Sequence, residues 1–166
     1  EASKLANIFV LPKTVNDIAT TREAIVKEFN GEKIFMPDDD IILSYFTQRE
    51  GSEMANWEKC TPEQEKDLFE TMSNDMDNGY LHGGLWVANS FARGYEQIKE
   101  TPLVENSRYY TNMWYDLSRI DIDKIDWVSQ KIGEDFYVAL QLCLMGHPSG
   151  LRRDYGVKAK ASYSPG

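Results

Sequence analysis

Two cysteines and two histidines, Cys60, Cys143, His82 and His147, are the side chains of this sequence best suited to nucleophilic or metal chemistry. Cys143 and His147 stand four residues apart, a spacing that can put two ligands on one side of a helix, and Cys60 with His82 would complete a Cys₂His₂ set. The surroundings favour a plainer role. Cys143 lies within Leu-Gln-Leu-Cys-Leu-Met, where a thiol behaves as a small buried hydrophobe, and Gly146 interrupts the helix before His147. No metal and no cofactor are therefore expected. Cys60 is better placed for reactivity. It precedes the Thr61-Pro62 helix start and follows Lys59, and both a helix N-terminus and a neighbouring cation favour a thiolate. Cys60 with His82 or His147 as its base defines the enzymatic alternative, a cysteine-dependent hydrolase or transferase.

The carboxylate groupings have a structural explanation. Asp121, Asp123 and Asp126 have the density that holds a divalent cation, but they sit where a helix start attracts negative charge. Asp38-Asp39-Asp40 is read the same way. Ser73 to Gly79 fails as a calcium loop: with Gly79 at the sixth position, Met76 and Leu85 fall where oxygen ligands are needed. His82-Gly83-Gly84 is similar to an oxyanion loop, yet no Gly-x-Ser-x-Gly elbow accompanies it, and no phosphate-binding or dinucleotide glycine loop occurs.

Aromatic residues and charge asymmetry point toward recognition. Tyr109, Tyr110, Met113, Trp114 and Tyr115 cannot share one narrow helical stripe, and such residues are enriched in interface cores. The chain carries 27 acidic and 18 basic side chains, a net charge of −9, which disfavours nucleic acid as a partner. Residues 147–166 depart from that balance, holding Arg152, Arg153, Lys158 and Lys160 against Asp154. The expected partner-binding set is thus Tyr109, Tyr110, Trp114, Tyr115, Arg152, Arg153, Lys158 and Lys160.

Apolar spacing supplies the elements that position these groups. Val15, Ile18, Ala19, Ile25, Val26 and Phe29 predict a helix over about 14–30, capped by Thr14 with Asp17 three residues later, and with Arg22 the one polar interruption of its stripe. A second helix is predicted from Pro37, with Ile41, Ile42, Tyr45 and Phe46 as its buried stripe. The third has the clearest start, Thr61 as cap, Pro62 as first helical residue and Gln64 completing the box. Further helices are expected over about 82–100, 103–119 and from Asp121 or Asp123 to before Gly146. Lys59, Thr61, Pro62, Glu65 and Thr71 recur forty residues later as Lys99, Thr101, Pro102, Glu105 and Thr111, a weak sign of a helical repeat.

These readings combine into an all-α fold, an irregular single-domain bundle of five to seven helices with an extended arm (1–13), a helical domain (14–146) and a basic C-terminal tail (147–166). The expected function is non-catalytic: a protein-interaction module or subunit of a larger assembly, its partner another protein or copies of itself. An acidic inhibitor imitating nucleic acid is a further alternative. The longest apolar stretch, Phe136 to Met145, is too short to span a bilayer, so a soluble protein is expected; a removed targeting segment would leave no trace.

Overall fold

Strands, not helices, organise the chain. The computed structural model describes residues 17–48, 55–88, 95–109, 112–130 and 132–159. In chain order it runs α1 (Ile18–Glu28), β1 (Lys33–Met36), β2 (Ile41–Gln48), β3 (Ala55–Lys59), α2 (Pro62–Asp77), β4 (His82–Val87), α3 (Tyr95–Glu100), β5 (Leu103–Glu105), β6 (Met113–Asp116), a 3₁₀ turn (Ile122–Lys124), α4 (Glu134–Leu144) and β7 (Ser149–Ala159). The seven strands form one mixed sheet in the order β1-β6-β4-β7-β2-β3, with β5 on β7. The expected all-α bundle is thereby corrected to a mixed α/β fold.

Only the first and third predicted helices keep their character. Asp17, expected three residues inside the helix, is itself the cap of α1, its carboxylate accepting from the Thr20 backbone N–H at 2.8 Å while the Thr20 hydroxyl reaches back; Thr14 lies outside the described residues. Thr61 and Gln64 form the predicted reciprocal box on α2. The predicted second helix is instead β2, and the fourth begins as β4. The fifth resolves into β5 and β6, and only the end of the sixth is helical, as α4. Thr101-Pro102 starts no helix, so the forty-residue repeat fails; their carbonyls accept from Arg153.

The misread strands share a cause. Along β6, Met113 and Tyr115 belong to one apolar cluster and Trp114 to another; along β1, Ile34 and Met36 pack on the first cluster and Phe35 on the second. Side chains alternate across a strand, so the two clusters lie on opposite faces of the sheet. Strands buried on both faces lose the apolar–polar alternation that identifies a strand in sequence. Helices α1 and α4 cover one face through Val26, Val138 and Leu142; α2 covers the other through Leu68, Met72 and Met76.

The stretch expected as a tail holds the best-connected strand. β7 pairs with β4 in parallel, and β5 and β2 pair with successive parts of it antiparallel. Its register against β4 jumps between Leu85 and Trp86, where Arg152 and Gly156 are the successive partners. In that bulge Arg152 forms a bidentate pair with buried Asp75 of α2, at 2.6 and 2.9 Å, and also bonds Asp154. The N-terminal arm lies outside the described residues.

Connectivity forces the sheet to curl. β1 and β2 are four positions apart in strand order, about 19 Å in a flat sheet at about 4.8 Å per strand. From Met36 to Ile41 an extended chain reaches at most about 18 Å. The direct step therefore requires curvature, which draws the Pro37–Asp40 turn over one end of the sheet. That end carries the carboxyl ends of β1, β4 and β7.

Candidate functional site

Two places gather titratable groups. The first surrounds His82 at the start of β4, with no exposed surface. Its Nε2 lies 2.9 Å from the His147 carbonyl oxygen and its Nδ1 2.6 Å from the Tyr109 hydroxyl. A carbonyl only accepts, so Nε2 carries the proton, Nδ1 is the acceptor and Tyr109 donates. Burial pushes the imidazole pKa down to about 4, keeping it neutral. Cys143 Sγ stands 3.9 Å from Nε2. The structure thus brings His82 beside Cys143 and the backbone of His147, with both ring nitrogens already engaged.

Cys60 lies elsewhere. It is buried in the α2-side cluster, whereas His82 bonds to Tyr109 of the opposite cluster. Burial, then the nearby Glu65 charge, raises its thiol pKa to about 11. Both cysteines are free.

The glycines after His82 serve packing. A Cβ on Gly83 would overlap the Trp114 ring and the Gly150 carbonyl, and one on Gly84 would press on Tyr109. Tyr109, Trp114 and Tyr115 are buried, at 2%, 0% and 1% exposure, and line this chain's own cores. Tyr110 and Lys160 fall outside the described residues. Arg152 and Arg153 are held by Asp75, Asp154 and the Thr101 carbonyl, and Lys158 donates to the Trp57 carbonyl at 2.7 Å.

The second place is the Pro37–Asp40 turn. Arg22 of α1, only 8% exposed, bonds Glu134 at the start of α4 and lies 3.9 Å from Asp38. The Asp38 backbone N–H donates to the side-chain oxygen of buried Asn112 at 3.3 Å, tying the turn to the start of β6. Asn112 adopts a left-handed φ of 54°, a conformation asparagine tolerates better than most residues. Partial burial raises the Asp38 pKa; Arg22 opposes this, while Asp40, Asp39 and Asp135 add to it. Asp38 borders two clefts, one toward α1 with Arg22 and one toward α2 with Phe69. A carboxylate with this bias can accept a proton from a bound hydroxyl.

In sequence Asp38, Asp39 and Asp40 have the pattern of a helix start, and nothing local marks Glu134 or Asn112. Arg22 left a signal: a cation on an otherwise apolar stripe requires a buried partner. Among the described residues, no three or more His, Cys, Asp or Glu side chains are grouped to hold a metal ion. Asp121 pairs with Lys124, and Asp126 accepts from the Val128 and Ser129 backbone. No helix among the described residues is long and apolar enough to cross a membrane.

Fold and site together define a mixed α/β protein with a carboxylate-bearing turn at the carboxyl ends of β1, β4 and β7. Two curated proteins, the "Beta-glucosyl-HMC-alpha-glucosyl-transferase" of Enterobacteria phage T2 and that of Enterobacteria phage T6, are each 31% identical to this chain over 168 aligned residues. The alignment takes in 97% of this chain and 57% of each relative, so the chain spans little more than half their length. No protein-family model matches the chain, and no solved structure matches it significantly. Similarity to transferases along nearly the whole chain overturns the expected non-catalytic interaction module and the reading as a protein that is not an enzyme. It also displaces the acidic inhibitor, and of the sequence alternatives it favours the transferase.

Proposed function

We propose that this chain is part of a glucosyl-transferring enzyme, with the Asp38 turn at its reacting centre. The 31% identity along 97% of the chain to two glucosyl-transferases is the observation that carries this reading. In glucosyl transfer the bond from the sugar's anomeric carbon to its leaving group breaks, a bond from an acceptor hydroxyl oxygen forms, and the hydroxyl proton must go to a base. Asp38 is the candidate base, its basicity raised by burial. Arg22, itself bonded to Glu134, stands 3.9 Å from it. By the relatives' name, the acceptor would be β-glucosyl-HMC.

The test is transfer of labelled glucose from nucleoside-diphosphate glucoses to a β-glucosyl-HMC acceptor. Asp38→Asn should lower the turnover rate by about 10²–10⁴-fold, with unchanged circular dichroism. Full activity in Asp38→Asn would overturn the assignment of the base, and failure of the whole protein containing this chain to transfer glucose with any donor would overturn the reading.

A further inference from the structure

The cleft between the Asp38 turn and α2, open to solvent, has a volume of about 390 Å³, within the size range of small-molecule sites. Its walls combine apolar rings with unspent charges. Phe69 is 46% exposed although it sits beside the buried Leu68 of the same helix, and its ring meets Phe35 edge-on at 6.0 Å. Lys59 and Glu65 line the same cleft. Elsewhere in the molecule partly buried charges are matched: Arg22 with Glu134, Arg152 with Asp75, Lys33 with Asp77. Half-buried Glu65 departs from this: its side chain, like that of exposed Lys59, forms no hydrogen bond or ion pair among the described residues.

An exposed ring beside unpaired donors and acceptors suits an amphipathic ligand. A pyranose presents C–H groups on its faces, which lie against aromatic rings, and hydroxyls around its rim, which bond to charged side chains. We infer that this cleft is a binding subsite for the β-glucosyl ring of the acceptor, seated on Phe69 with its rim hydroxyls toward Glu65, Lys59 and Asp38. The assignment rests on the transferase reading for the identity of the sugar. Asp38 borders the cleft, so a ring held there places a hydroxyl beside the proposed base.

Methyl β-glucoside is the probe, its binding to the full chain followed by ligand-observed NMR and titration calorimetry. Phe69→Ala, at an exposed helix position, should weaken binding by about tenfold, equivalent to about 1.4 kcal/mol. Phe69→Tyr, which keeps the ring, should restore it. In the transfer assay Phe69→Ala should raise KM for the β-glucosyl acceptor by a similar factor. Equal binding by the unaltered protein and Phe69→Ala, or no detectable binding by the unaltered protein, would overturn the subsite. Glucoside binding that is lost in Phe69→Ala, in a protein without transfer activity, would uphold the subsite while removing the transferase reading. Transfer with an unchanged acceptor KM in Phe69→Ala would do the reverse.

Discussion

The His82 pocket and the Asp38 turn hold similar chemical groups and spend them differently. At His82 every polar atom faces a partner of this chain: one ring nitrogen donates to the His147 carbonyl and the other accepts from Tyr109. The site is closed, and burial pushes the imidazole down to about 4. At Asp38 the partners are fewer and looser. Arg22 stands 3.9 Å away, two clefts open beside the carboxyl, and Lys59 and Glu65 stay unmatched in one of them. A satisfied buried network stabilises and orders a core, whereas groups left partly unsatisfied beside open space have capacity for a ligand.

The largest expected effect is the loss of about two to four decades in turnover on Asp38→Asn, read by the transfer assay without a matching fall in melting temperature. A melting-temperature loss as large as any at His82 would erase the contrast between the two places.

Next comes the pH response of the closed pocket. At about pH 8 the imidazole is neutral both folded and unfolded. As pH falls, the unfolded chain takes up a proton that the folded pocket resists until about pH 4. Stability therefore declines with acidification, by about 2 kcal/mol between pH 8 and pH 5, measurable from urea midpoints. A histidine resonance titrating near pH 6.5 for His82 would contradict the closed pocket.

Tyr109→Phe removes the donor to Nδ1 and leaves a buried acceptor unmatched, costing about 1–2 kcal/mol by the same denaturation measurement. The smallest effect is expected from Cys143→Ser. Its thiol is exposed, and the neighbouring imidazole nitrogen already donates to a carbonyl. Transfer activity should hold and stability should change by no more than about 0.5 kcal/mol. A large loss of transfer would move the chemistry from the Asp38 turn to the Cys143–His82 contact.

Legibility followed locality. Thr61, Pro62 and Gln64 announce α2 because a helix start is written in three or four consecutive residues. The spacing from Tyr109 to Tyr115 predicts a helix with rings on too many sides. The same crowding arises when Met113 and Tyr115 point into one core and Trp114 into the other. Gly83 and Gly84 have the pattern of an oxyanion loop, while their necessity comes from the Trp114 and Tyr109 side chains packed against β4. For the site, Arg22 was visible as an interruption, but its partners lie sixteen and 112 residues away in sequence.

By itself, the sequence determined the cap of α2 and the acidic balance, because each depends on neighbouring residues or on composition alone. Tertiary structure decided the sheet, its curl and the meeting of Arg22, Asp38, Asn112 and Glu134. Strand partners and site partners are chosen by which distant segments can bury surface together, and no local pattern records that choice.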